Sequence, residues 1–149
     1  MRTAYNPAHR KDLPSFECQR LMKASAATLY RAWTEGFGTW FAIPDSVIMR
    51  PEVDSAFFFE TQYQGQRHPH YGRFLELKEN RLVALTWLNG ALDGTETIVT
   101  VRLEPQGSGT LLHLSHTDFP NEKFRDETGE AWPAVLEQQD RAMTGREPE

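Results

Sequence analysis

The residues of this sequence best suited to chemistry are its five histidines and its single cysteine, Cys18. Two histidine pairs have short spacings, His68-Pro-His70 and His113-x-x-His116, and such spacings can indicate a metal site. His113 and His116, however, are an odd number of residues apart on a predicted strand, so their side chains point to opposite faces. The sequence also contains no Cys-x-x-Cys or His-Glu-x-x-His motif. It therefore predicts no metal site, and it places His68 and His70 in a solvent-exposed loop.

His116 has a different pattern, because strand alternation places it inward beside Leu112 and Leu114. A histidine in an apolar interior must find a hydrogen-bond partner or stay neutral through a lowered pKa. We favour a structural, hydrogen-bonded histidine. The alternatives are a residue that orients the polar end of a ligand, or a general base. No nucleophile elbow, phosphate loop or dinucleotide motif is present, and no positive charge is placed beside Cys18. We therefore expect no catalytic residue and no cofactor.

Aromatic side chains are the strongest signal, with nine Phe, four Trp and four Tyr. Regularly spaced aromatic residues most often pack in the hydrophobic core. Trp and Tyr, however, carry polar groups that need a hydrogen-bond partner in a filled core and that can contact a ligand in a pocket. The sequence leaves a filled core and an open cavity as alternatives. If the cavity is open, its predicted ligand-binding residues are Trp40, Phe41, Phe57, Phe59, Tyr71, Trp87, His116 and Trp132, with Trp33 in the same interior.

The elements that position these residues follow from periodicity and turn signals. A strand is predicted over residues 16–23, and then a helix over 26–33 with Ser25 as its N-cap. A short turn or helix carries Trp40 and Phe41. About six antiparallel strands follow, beginning with a short one over 47–49, and a terminal helix begins near Glu130. Only this helix can cover the apolar face of the strands, which comprises Val83, Leu85, Trp87, Val99, Val101 and Leu103. The fold class is therefore α+β, with a curved sheet around the terminal helix.

Length and composition limit the function classes. The chain has 149 residues, which predicts one domain, and its net charge of −5 gives no support for nucleic-acid binding. It has no apolar run of transmembrane length and no apolar segment of the kind a signal peptide needs. A single cysteine favours a reducing, cytoplasmic location. We expect a flexible arm over residues 1–14, the domain over 15–144, and a disordered tail over 145–149.

Several segments resemble one known family. Residues 71–77 (Tyr-Gly-Arg-Phe-Leu-Glu-Leu) and 80–87 (Asn-Arg-Leu-Val-Ala-Leu-Thr-Trp) are similar to its "G-x-[VF]-x-E-[IL] … R-L-V-x-T-W" core. Residues 97–104 and 109–119 resemble its next strand pair. Residues 25–33 resemble its first helix, and Ala131-Trp132 with Leu136 resembles the start of its last helix. The family comprises activators of the ATPase of the ninety-kilodalton heat-shock chaperone, within the SRPBCC (START-like) superfamily, and the resemblance covers residues 16–143.

The resemblance implies a helix-grip fold with a cavity that takes an apolar or aromatic small molecule. The sequence departs from the family pattern at three places. The family has Gly-Gly where this chain has Asp54-Ser55, and a single Gly where this chain has Asp118 and where it has Ala131. Binding without catalysis is the leading hypothesis. The alternatives are an enzyme of the polyketide cyclase or dehydratase type, which would use His116 with Tyr71 or Arg73, and a chaperone ATPase co-regulator.

The expected partners follow from these hypotheses. They are a small apolar or aromatic molecule and a heat-shock chaperone, with no nucleic acid and no membrane span. Phe58 has the strand position of an outward-facing residue, and a large apolar side chain there suggests a subunit contact. We therefore expect a monomer or a weak homodimer through Phe58.

Overall fold

The structure is a computed structural model that describes residues 13–89 and 95–144. The predicted tail over 145–149 lies outside the described residues, as does the predicted arm except for residues 13 and 14. The strands are β1 (Phe16–Met22), β2 (Ala56–Tyr63), β3 (Gln66–Lys78), β4 (Leu82–Asn89), β5 (Thr97–Gln106) and β6 (Gly109–Thr117). The helices are α1 (Ala26–Thr34), α2 (Glu122–Gly129) and α3 (Trp132–Thr144), with 3₁₀ turns at Phe37–Thr39 and Pro44–Ser46.

The six strands form one antiparallel sheet in the order β1-β6-β5-β4-β3-β2. The α+β helix-grip fold is confirmed, because this sheet wraps around the C-terminal helix. One predicted strand is wrong: residues 47–49 make only a single bridge, between Ile48 and Phe58. The segment is held to the edge of β2 there, but it is too short and too irregular to continue as a strand.

Helix α1 begins where the sequence predicts it. The Ser25 hydroxyl oxygen accepts a hydrogen bond of 3.2 Å from the backbone N–H of Thr28, so it satisfies one of the unpaired donors of the first turn. The helix buries Leu29, Ala32 and Trp33, and it packs against β4 and β5. This contact places the indole of Trp33 in the interior between sheet and helices.

The hairpin between β2 and β3 turns at Gln64 and Gly65, whose φ angles of 53° and 78° match the right-handed twist of the paired strands. Strand β3 begins at Gln66, so it includes His68, Pro69 and His70. The predicted loop around His70 is therefore wrong. Proline is tolerated at position 69 because His70 is the last residue of β3 that pairs with β4, so no described residue of β4 needs an N–H from residue 69.

The C-terminal part contains two helices where the sequence predicts one. Helix α2 was missed because Phe124 is its only large apolar residue, and its N-cap Asn121 gives the clearest signal for it. Helix α3 begins at Trp132, two residues after the predicted start, and it lies against the inner face of the sheet with Trp132 and Leu136 buried. No helix in the described ranges is both long and apolar enough to cross a membrane.

Candidate ligand-binding site

The centre of the molecule is a packed cluster of aromatic rings. Phe37 stacks on Phe59 with ring centroids 4.7 Å apart, and Phe57 stacks on Phe59 at 6.0 Å. The indole N–H of Trp40 donates to the carbonyl oxygen of Ala32 over 2.9 Å, so its polar group needs no ligand. All these aromatic side chains are at most 4% exposed. Trp40, Phe57 and Phe59 are therefore packed in a filled core, behind any cavity wall.

His116 is fully buried and has a hydrogen bond at each ring nitrogen. The indole N–H of Trp132 donates to Nδ1 over 3.0 Å, and Nε2 lies 2.7 Å from Oγ1 of Thr97. Because Nδ1 accepts, the ring proton of the neutral histidine is on Nε2, which donates to Thr97. The Thr97 hydroxyl in turn donates to the carbonyl oxygen of Trp87 over 2.8 Å. This chain ties β4, β5, β6 and α3 together.

Burial lowers the pKa of His116 to about 3, so the ring is neutral at physiological pH. The inward position predicted for His116 is confirmed. Of the roles left open by the sequence, the geometry agrees with the structural one, since a general base or a ligand contact needs a ring nitrogen that another protein group does not already occupy.

Two adjoining cavities lie beside this core, between β3 and the start of α3. Their volumes are about 260 Å³ and about 810 Å³. Both are lined by Phe41, His70, Ala131 and Val135. The smaller one extends inward to Trp87 and Trp132, and its rim carries Glu127 and Thr128. The larger one extends outward along the β2–β3 hairpin to Thr61, Gln62, Tyr63, His68, Pro69 and Gln138. We refer to the two cavities together as the cleft.

Three of the predicted ligand-binding residues line the cleft, namely Phe41, Trp87 and Trp132. The expectation that Tyr71 does so is wrong. Its side chain is 47% exposed, and its ring lies 5.4 Å from that of Phe58 on the outer face of the sheet. The reason is strand alternation: Tyr71 follows His70, which faces inward, so Tyr71 must face outward.

His70 is the cleft residue that sequence reasoning missed. Its ring stacks on Phe59 with centroids 4.9 Å apart, and its Nε2 lies 3.2 Å from Oγ1 of Thr61. Burial, with a smaller contribution from nearby His68, lowers the pKa of His70 to about 4. The available signal was alternation: once β3 is extended past Pro69, His70 falls on the same face as Phe74.

Two other candidate sites have less support. One is a cavity of about 750 Å³ on β1, β5 and β6, which is lined mainly by polar side chains such as Glu17, Arg102 and His113. Its described lining includes no Phe, Tyr or Trp. Within residues 13–89 and 95–144, no three His, Cys, Asp or Glu side chains lie close enough together to hold a metal ion. The cleft is therefore the best candidate for a binding site in the described structure.

Comparison with known proteins agrees with this architecture. The sequence model of the family described as "Activator of Hsp90 ATPase homolog 1-like protein" matches residues 23–143. No protein with a curated description matches the chain. Among solved structures, protein CV1439 from Chromobacterium violaceum is 22% identical with a TM-score of 0.73, over 91% of this chain and 98% of that one.

Two further structures share the fold. Protein MLL2253 from Mesorhizobium loti is 18% identical with a TM-score of 0.74, over 91% of this chain and 100% of that one. The Aha1 dimer from Colwellia psychrerythraea is 17% identical with a TM-score of 0.67, over 91% of this chain and 100% of that one. At these identities the likeness is one of fold.

Proposed function

The chain belongs to the family of activator of Hsp90 ATPase homolog 1-like proteins, and from this premise we propose that it is a START-like protein that binds a small apolar or aromatic molecule in the cleft without converting it. One observation carries the proposal. Phe41, Trp87 and Trp132 line a cavity beside an otherwise filled core. A concave site with apolar and aromatic walls and few polar groups is typical of small-molecule binding.

The arrangement of ionisable groups supports binding without catalysis. Acid–base catalysis usually needs two groups of matched pKa within reach of the substrate. His116 has both ring nitrogens hydrogen-bonded inside the protein. Tyr71 and Arg73, its proposed partners in a cyclase or dehydratase, lie on the outer face, where Arg73 pairs with Asp54 at 3.6 Å. These positions weigh against an enzyme that uses His116.

The partner and location hypotheses stay predictions. A heat-shock chaperone, if it is a partner, would bind the outer surface of the protein and not the cleft. A weak homodimer through Phe58 is consistent with the position of that residue, which contacts the exposed Tyr71 on the outer face. A cytoplasmic location likewise stays a prediction from the single cysteine.

Titration with N-phenyl-1-naphthylamine, an uncharged probe whose emission rises in apolar surroundings, tests the proposal. We expect a saturable rise with the wild-type protein. Val135 lines both cavities, so Val135→Trp should fill the cleft and abolish the rise. Val53→Trp is the matched control, because Val53 is exposed and lies outside the cleft. Equal probe binding by both variants, or no saturable binding by the wild type, would contradict a binding cleft.

A further inference from the structure

The charge of the cleft walls indicates what kind of ligand the cleft selects. We propose that the cleft prefers an aromatic ligand carrying a protonated amine to a carboxylate of the same shape, with Glu127 as the charged contact. This inference rests on the proposed function and adds a ligand class to it. Three features carry it: the absence of basic side chains in the described walls, the acceptor groups at the rim, and the aromatic rings.

The described walls of the cleft carry one negatively charged side chain and no Lys or Arg. Among the described residues that line the two cavities there is no Lys or Arg, and the only carboxylate is that of Glu127. The wall also contains two histidines, His68 and His70. The lowered pKa of His70 keeps its ring neutral, and Nε2 of His68 lies 3.3 Å from the carbonyl oxygen of Tyr63. A ligand carboxylate would therefore lose its hydration without gaining a Lys or Arg partner.

The polar groups at the rim include hydrogen-bond acceptors on two helices. Gln138 lines the larger cavity, and its Nε2 is already used to donate to the carbonyl oxygen of Trp40 over 2.8 Å. This bond uses one of the two N–H donors of the amide, so Oε1, an acceptor, and the second N–H are left for a ligand. With the carboxylate of Glu127, the rim therefore offers acceptors on both α2 and α3. A ligand with N–H donors matches them.

The helix termini add to the same preference. The N-terminus of α3 would by itself attract an anion, but only two residues separate it from the end of α2, whose C-terminal carbonyl groups have the opposite sign. The last turn of α2 contains no basic residue, while Glu127 lies in that turn and Glu130 follows it. The described residues of that turn therefore add negative charge, through Glu127, and no positive charge to the lining of the cleft.

The inner walls suit a cationic aromatic ligand as well. Trp87 lies 5.5 Å from Trp132 and 6.0 Å from Phe41, measured between ring centroids, so the three rings form one continuous aromatic surface. Such a surface stacks on an aromatic ligand, and its negative ring faces attract an ammonium group. A carboxylate gains no such attraction.

A matched set of three compounds tests the inference: 1-naphthylmethylamine, 1-naphthalenemethanol and 1-naphthoate. Each is titrated into the full-length protein and followed by ¹H–¹⁵N NMR shifts. We expect the amine to bind most tightly, the alcohol next and the carboxylate most weakly, with amine affinity falling in 0.5 M NaCl. Tight binding of the carboxylate would overturn the inference and leave the binding function standing. Failure of all three compounds to bind would overturn the proposed function as well.

Two substitutions separate Glu127 from the general negative charge of the protein. Glu127→Gln should raise the Kd for the amine about 2–5-fold, as expected for the loss of one exposed charge contact, and leave the Kd for the alcohol unchanged. Glu130→Gln is the matched control, because it removes the same charge three residues away from a side chain outside the lining. Equal effects of the two substitutions on amine binding would overturn the role of Glu127.

Discussion

The indole N–H of Trp132, at the start of α3, donates a hydrogen bond of 3.0 Å to Nδ1 of His116 in β6. Both side chains are almost completely buried. This contact anchors the start of the terminal helix to the sheet, and it also determines which nitrogen of His116 carries the proton. Trp132 therefore contributes both ring packing and a specific hydrogen bond, and the two contributions can be measured separately.

Substitution of Trp132 should show both contributions. Trp132→Phe keeps a ring in place but removes the N–H, so Nδ1 of buried His116 loses its donor. We expect a loss of about 1–3 kcal/mol in the free energy of unfolding, measured in urea. Trp132→Ala should cost about 3–5 kcal/mol, the range for removing a buried aromatic side chain. Tyr71→Phe is the control and should change stability by less than about 0.5 kcal/mol, because Tyr71 is exposed. A Trp132→Phe variant as stable as the wild type would show that the hydrogen bond adds nothing.

The stability of the protein should fall as the pH is lowered from 7 to 5. The folded-state pKa values of His70 and His116, about 4 and about 3, lie below the ordinary value of 6.5, so the unfolded chain binds more protons in this range. The two histidines contribute their full stabilisation above pH 6.5. This contribution is lost as the pH falls from 6.5 towards their folded-state pKa values. Each histidine should cost about 2 kcal/mol between pH 7 and pH 5.

Urea unfolding at several pH values, with histidine variants, checks this expectation. His70→Asn and His116→Asn should each remove about half of the pH dependence of the unfolding free energy. If one of the two variants does not fold, the other provides the test. His113→Asn is the control, because it removes a histidine of β6 whose side chain is partly exposed and not buried. A wild-type protein with the same stability at pH 5 and pH 7 would rule out buried neutral histidines.

Asp140 should contribute to stability through one partner in β1 and one in the residue that follows it. It is 4% exposed, its Oδ1 accepts from the backbone N–H of Lys23 over 2.9 Å, and its Oδ2 lies 3.5 Å from Nε of Arg20. Asp140→Ala breaks both contacts and should cost about 1–3 kcal/mol in the free energy of unfolding, mainly because the backbone N–H of Lys23 loses its acceptor. Asp140→Asn keeps an acceptor oxygen and should cost less.

The control for Asp140 lies on the same helix. Glu137 pairs with Arg141 at 3.2 Å on the exposed side of α3. Glu137→Gln should change stability by less than about 0.5 kcal/mol, because water screens an exposed pair. If Asp140→Ala were as mild as Glu137→Gln, the contact between α3 and β1 would not contribute measurably to stability.

Local patterns in the sequence determined the framework of this protein. Alternation of apolar residues predicts β4, β5 and β6, and the cap at Ser25 predicts the start of α1. The same alternation places His116 inward, and helical spacing places Trp132 against the sheet. These features depend on neighbours within a few residues. The strand or helix repeat of apolar residues is therefore enough to determine which face each side chain occupies. Helix α2 has too few apolar residues to show such a period.

The site depended on contacts that no local pattern contains. The indole N–H of Trp33 donates to Oε1 of Gln139, which is 106 residues away in the sequence. His116 and its donor Trp132 are 16 residues apart on different elements. The extension of β3 past Pro69, which turns His70 inward and Tyr71 outward, depends on its pairing with β2. Whether aromatic rings fill an interior or leave a cleft depends on their packing in three dimensions. The sequence by itself therefore determined the composition of the interior, and only the tertiary structure decided which aromatic residues form its core and which line the cleft.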